Sequence, residues 1–177
     1  MHQDKVAGIL DNMNETLSRL MCRPFTPADL RALYAIEEAC FESPQRFSRA
    51  LMRSLTHDPD CRTWVALVDG VCAGFAIVGL REPNELPDTT TGPENAYIWT
   101  IEVLPFFRRK GVARQLLRRM EESAREANAP AIELHVAERN GEARALYESA
   151  GFVAGEIVPE YYGPEGNGLL YRKMLQP

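Results

Sequence analysis

The sequence predicts a mixed α/β (α+β) domain: a mostly antiparallel sheet of about seven strands flanked by about four helices. Strand-like runs outnumber helix-like ones. The two runs in TWVALVDGVCAGFAIVGL meet at Asp69-Gly70, a turn that joins antiparallel neighbours. The amphipathic stretch after Gly111 is long enough to cross from one strand to the next. With 177 residues, 45% of them hydrophobic, the chain can bury one good core and is too short for two ordinary domains. Residues 18–177 therefore read as one domain, and residues 1–17 as a helical extension.

In that extension Val6, Ile9, Leu10, Met13 and Leu17 recur at helical spacing. A first strand covers about Ser18 to Arg23. Thr26 then suits a helix cap and Pro27 its first position, opening a helix that carries Leu30, Leu33 and Ile36 and ends near Phe41. Ser43-Pro44 breaks it, and a second helix runs from about Phe47 to Leu55. After the hairpin, residues 81–95 are polar and rich in Pro and Thr, a long loop that is either mobile or part of a site mouth. Tyr97 to Val103 alternates as a strand does, and Pro105 stops it. A helix from about Gly111 to Ala127 follows, then a strand over Ala131–Ala137 and a helix from Asn140 to Ala150 that Gly151 terminates. Two last strands flank PEYYGPEGNG.

Composition removes several classes of function. A net charge of −5 argues against a protein that coats nucleic acid, which needs a broad cationic face. No run has membrane-spanning length. Cys22, Cys40, Cys61 and Cys72 lie far apart without zinc-type spacing, so reduced thiols and no metal are expected. The first residues mix acids and amides with apolar side chains rather than following the order of a secretion signal, and a cytoplasmic protein is expected.

FFRRKGVARQLLRR, residues 106–119, is the local exception to the acidic balance. A helix N-terminus presents free backbone N–H groups and the positive end of the helix dipole, so strand, turn and helix make an anion cradle. Gly111 lets the backbone come close, and Arg108, Arg109 and Lys110 add charge beside Val112 and Ala113. The same residues also suit a solvated basic helix face. A nucleoside-triphosphate loop is disfavoured because Lys110 precedes Gly111 rather than following a second glycine, and the dinucleotide fingerprint is missing.

Arg108-x-x-Gly111-x-Ala113 resembles the [QR]-x-x-G-x-[GA] pyrophosphate loop of the GCN5-related N-acetyltransferases. NGEARALYESAGF, residues 140–152, resembles that family's second signature, N-x-x-A-x-x-x-Y-x-x-x-G-F. The element order from about residue 18 onward is similar to the family fold as well. The resemblance implies an acyl-CoA N-acyltransferase fold, acetyl-CoA as cosubstrate and transfer of acetyl to an amine. It also implies that Ile101 and Val103 offer backbone groups to the thioester where two strands splay, that Asn140 contacts the coenzyme, and that Tyr147 protonates the departing thiolate. Spacing alone places Tyr147 in the stripe Ala143, Leu146, Tyr147, Ala150, where a core-facing aromatic is the more ordinary reading.

For the acceptor side, alternation puts Ile132, Leu134 and Val136 on one face of their strand and His135 on the other, open to a cleft or merely half exposed. YIWTIEVLPFFRRKGVA and LHVAERNGEARALYESAGF resemble segments of N-terminal α-amine acetyltransferases of the NatE type. There a tyrosine and a histidine at the positions of Tyr97 and His135 order a water that takes the amine proton. EYYGPEGNGLLYRKML resembles the paired-tyrosine loop that clamps a peptide's first residues, which implies substrate roles for Tyr161 and Tyr162; on its own the pair reads as an aromatic turn. Phe41 matches an apolar wall of the first-residue pocket. Two departures bear on acceptor preference: Glu42 follows Phe41 where NatE-type sequences have proline, and His135 stands where similar bacterial ribosomal-protein acetyltransferases carry glutamate.

Acid–base chemistry favours an α-amine acceptor. An α-amino group with pKa ~7.8 is roughly one-seventh neutral at pH 7, whereas lysine at ~10.4 is neutral about four times in ten thousand, a difference of about 3.5 kcal/mol. Glu102 and Glu133 are further carboxylates, and strict alternation points Glu102 away from the face of Tyr97. Acetylation of a small amine and a non-catalytic acyl-CoA sensor are the competing readings. The sequence leaves monomer and homodimer open.

Overall fold

The computed structural model describes residues 19–41, 46–80, 95–164 and 166–175. The expected extension over residues 1–17, the break at Ser43-Pro44 and nearly all of the 81–95 loop lie outside these. Within them the chain runs β1 (Leu20–Pro24), α1 (Leu30–Cys40), α2 (Arg49–His57), β2 (Cys61–Val68), β3 (Val71–Gly79), β4 (Ala96–Val103), α3 (Val112–Glu126), β5 (Ala131–Ala137), α4 (Gly141–Ser149), β6 (Val153–Val158) and β7 (Gly168–Met174). The strands form one sheet in the order β1-β2-β3-β4-β5-β7-β6, antiparallel throughout except where β4 meets β5. The fold class expected from the sequence is the one observed.

Local chemistry explains most boundaries. Asp69 (φ 50°) and Gly70 (φ 81°) give the left-handed turn that closes the β2–β3 hairpin. Ser48 caps α2 by accepting the Leu51 N–H at 3.1 Å, and Asn140 caps α4 by accepting the Ala143 N–H at 3.1 Å. Thr26 stands at the cap and Pro27 at the first position, as expected, but the turn they open and the direction of its side-chain bonds differ. Thr26 opens a 3-10 turn over Pro27–Asp29, and its hydroxyl and N–H both donate to the Asp29 carboxylate, which Arg23 also holds. Asp29 is therefore the acceptor, and these charge-assisted bonds lower its pKa to about 2.

Helices cover both faces of the sheet. On one, α3 and α4 bury Val112, Leu116, Leu117, Met120 and Tyr147 against Ala76, Val78, Ile98, Ile132 and Leu134. On the other, Leu33, Ile36, Met52 and Leu55 of α1 and α2 cover Val65, Phe75 and Ile77. The latter pair covers the β2–β4 half of that face.

Two irregularities in β4 shape everything that follows. Ile77 pairs with Thr100 but Val78 pairs with Ile98, so Trp99 is an extra residue, a β-bulge. One inserted residue inverts the alternation beyond it. Tyr97, opposite Gly79, and Glu102, opposite Phe75, therefore share the α1 face, which corrects the expectation that they point apart. The second irregularity is the splay. Pairs Ala96↔Ile132 and Tyr97↔Glu133 join β4 to β5, and no further pair follows among the described residues. The β4 backbone from Ile98 to Val103 thus has no ladder partner on that side.

Candidate active site

The splay opens into a cleft of about 780 Å³. Its walls on the α3–α4 side are Arg108, Arg109, Gly111, Val112, Ala113, Asn140 and Tyr147; Ile101 and Val103 border it along β4, and Cys40, Phe41 and Glu102 close it toward α1. The cleft therefore passes through the sheet, connecting its two faces. Of the coenzyme residues expected from the sequence, Lys110 alone is absent from the wall. Its ammonium lies 4.4 Å from the centroid of the exposed Phe106 ring, a cation–π contact that turns it outward. A larger depression of about 990 Å³ over β6 and β7 contains none of the candidate residues.

At the cleft's mouth the backbone is shaped for an anion. Arg109 (φ 62°) and Gly111 (φ 82°) both adopt left-handed conformations, and the first α3 bond runs from the Gln115 N–H to the Gly111 carbonyl. The N–H groups of Val112, Ala113 and Arg114 precede that bond and have no helical acceptor. Successive amides in such a turn form a concave nest with positive potential. A Cβ at Gly111 would meet nothing within 4 Å, so the glycine serves the backbone angle rather than a tight contact. The Arg108 Nε donates to the Val103 carbonyl at 3.1 Å, tying the turn to the end of β4.

Tyr147 sits deeper, 7% exposed, with its ring tilted against Phe152 and Tyr171. Its hydroxyl has no hydrogen-bond partner among the described residues, and burial pushes its pKa well above the ordinary phenol value. A phenol held protonated at the cleft floor is a proton donor.

On the opposite face, Tyr97 and His135 stand on adjacent strands. The Tyr97 hydroxyl lies 3.0 Å from His135 Nδ1 and 3.0 Å from the Tyr161 hydroxyl. The Tyr161 ring stacks on the imidazole at 4.3 Å, and the Tyr162 hydroxyl donates to the His135 carbonyl at 2.9 Å. Burial lowers the His135 pKa, with Glu133 opposing in part, which favours the neutral ring; burial first, then the Tyr161 hydrogen bond, raises that of Tyr97. Glu133 itself is bound by Arg172 and by Asn95, so it is no free base.

The carboxyl group that strict alternation points away from Tyr97 is the unexpected one. Glu102 is 2% exposed, and burial and the neighbouring Glu37 push its pKa up to about 10. A bulge leaves no compositional mark, so only its signal in the register reveals Glu102 on the face of Tyr97.

Comparison with known proteins bears on the fold and the family. Residues 30–152 match the model of the acetyltransferase (GNAT) family. A streptothricin acetyltransferase of Streptomyces lavendulae is 35% identical over 124 residues, 68% of this chain and 61% of that protein. The chain spans less than two thirds of the length of the curated relatives it matches, 61% of this one and 40% of a Mycobacterium leprae protein. Similar solved structures include Arabidopsis thaliana NAA60 in complex with acetyl-CoA, with TM-score 0.76 and 21% identity over 89% of this chain and 99% of that one. The ribosomal-protein-S18-alanine N-acetyltransferase of Escherichia coli gives TM-score 0.74 and 23% identity over 90% and 96%. Among the described residues no helix is long and apolar enough to cross a membrane. By its family match and by the splayed strands that lead to a glycine-bearing helix N-terminus, the chain belongs to the acetyltransferase (GNAT) family.

Proposed function

We propose that the protein is an acetyl-CoA-dependent N-acetyltransferase whose acceptor is the α-amino group of a protein or peptide N-terminus. The amide nest at Gly111 and the guanidinium groups of Arg108 and Arg109 fit a diphosphate, and the unpaired β4 backbone at Ile101 and Val103 fits an extended pantetheine arm. When bound, the coenzyme supplies an activated acetyl thioester.

The residues divide the proton work between the two faces of the sheet. Tyr97 and His135 accept the proton of the incoming ammonium through a water, a role that requires the neutral imidazole favoured by burial. Tyr147, on the coenzyme side, donates its proton to the departing sulfur. Phe41 borders the cleft where the acceptor enters, and Tyr161 and Tyr162 cover the relay from the β6–β7 loop. The carrying observation is the Tyr97–His135 contact at 3.0 Å on the face opposite Tyr147. A second reading, acetylation of a small amine, is supported by the 35% identity to the streptothricin acetyltransferase.

Release of coenzyme thiol, followed across peptides and small amines, tests the assignment. Turnover of peptides with free N-termini and loss of it on N-terminal blocking support the peptide reading. Turnover of small amines with no peptide acetylated would replace it with the second.

A further inference from the structure

Glu37 of α1 and Glu102 of β4 are 3% and 2% exposed, deeper than the other carboxylates described. Each has one satisfied oxygen: Glu37 Oε1 accepts the Phe47 N–H at 2.7 Å, and Glu102 Oε1 accepts the Thr100 hydroxyl at 2.9 Å. The second oxygen of each is buried without a donor. These two carboxyl groups interact with one another, and among the described residues neither is ion-paired with an arginine or lysine. The guanidinium groups nearest the pair are directed to backbone carbonyls, that of Arg46 to Phe41 and Glu38 and that of Arg108 to Val103. The Cys40 thiol of α1 is held protonated by burial and by Glu102. Two buried acidic oxygens without a donor need a proton between them or a cation.

Glu102 belongs to the wall of the cleft, beside Cys40 and Phe41. That wall is on the α1 face of the sheet, the face carrying Tyr97 and His135. We infer that Glu37 and Glu102 together form a subsite for a second ammonium group of the acceptor, distinct from the amine that is acetylated. With no acceptor bound, the pair holds one proton and one negative charge. An entering R–NH3+ takes the proton's place between the oxygens, and the proton leaves to solvent, so net charge in the subsite is unchanged and no covalent bond forms. The reacting amine must be neutral to attack, so this charge is read at another group of the same molecule. The inference rests on the acetyltransferase reading and specifies its acceptor: a molecule with two amino groups, such as a peptide with lysine beside its N-terminus or an aliphatic diamine.

Two measurements on the full chain separate this inference from the reading beneath it. In the first, kcat/KM is compared for peptides carrying lysine or its uncharged analogue norleucine at the first or second position, and for 1,4-diaminobutane against 1-aminobutane. The subsite predicts at least about a tenfold preference for the ammonium-bearing member of some pair, reduced toward unity in Glu102→Gln and in Glu37→Gln. Equal rates within every pair, or a preference retained in both variants, would overturn it. The second needs no turnover. Titration calorimetry of 1,4-diaminobutane with coenzyme A present, in buffers of different ionisation enthalpy at pH 7.5, should show about one proton released per diamine bound, and none in Glu102→Gln. Binding without proton release, or no binding, contradicts the subsite. Acetyl-CoA binding without acetylation of any amine would instead sink the enzymatic reading, while proton-linked diamine binding would still stand or fall separately.

Discussion

At the scale of the residue, two side chains have roles that isolated substitutions separate. Tyr147 owes its raised pKa to burial between α4 and the sheet, and its hydroxyl has no hydrogen-bond partner among the described residues, so removing the oxygen costs packing little. Tyr147→Phe should lower kcat by about 10²- to 10⁴-fold while the acetyl-CoA dissociation constant moves less than about threefold, checked by thiol release and calorimetry. His135 makes a pH prediction. Its folded pKa lies below the unfolded value, so the stability it contributes is present above about pH 6.5 and is lost as pH falls through the folded value. For a peptide acceptor, kcat/KM should rise with unit slope toward ~7.8, where the α-amine loses its proton. A second bend belongs to the imidazole and falls below ~6.5. His135→Ala should abolish that bend and lower the plateau; a wild-type bend lying above 6.5 would assign it to another group.

At the scale of the element, β4 carries the largest share of the function, and its shape depends on a close neighbour. A Cβ at Gly74 would approach the Glu102 carbonyl oxygen to 2.3 Å, so only glycine lets β3 lie against β4 there. Gly74→Ala should destabilise the fold by about 1–3 kcal/mol and lower the melting temperature, because the obstacle is backbone that cannot rotate aside. An unchanged melting temperature would mean that β4 is held otherwise. The same strand shows where sequence reading stops. Its existence and limits follow from AYIWTIEV and Pro105, as those of β5 follow from the alternation of Ile132, Leu134 and Val136. The unpaired Trp99 does not: a bulge changes register without changing composition, and strict alternation therefore placed Glu102 on the wrong side. The inverted cap at Thr26 escaped for a similar reason, since Asp29 fits a first-turn acid as readily as the acceptor it is.

At the scale of the whole molecule, function comes from passing one cleft through a sheet. Arg108 with Gly111 and Asn140 with Tyr147 belong to two separate motifs, which alone indicated a shared site; β4, β5 and the ends of α3 and α4 bring them to one wall. Tyr97 and His135 were legible as a pair of residues, whereas the placement of Tyr161 on the imidazole required the fold of the β6–β7 loop. Everything on both faces presupposes that the Gly111 turn grips the coenzyme's diphosphate. Titration calorimetry of acetyl-CoA into wild-type protein and Arg109→Glu tests that directly, because Arg109 is exposed and lines the turn. One site per chain, weakened about tenfold or more by the charge reversal, is the expected result. No heat of binding in the wild type, or equal affinity in the two proteins, would contradict it.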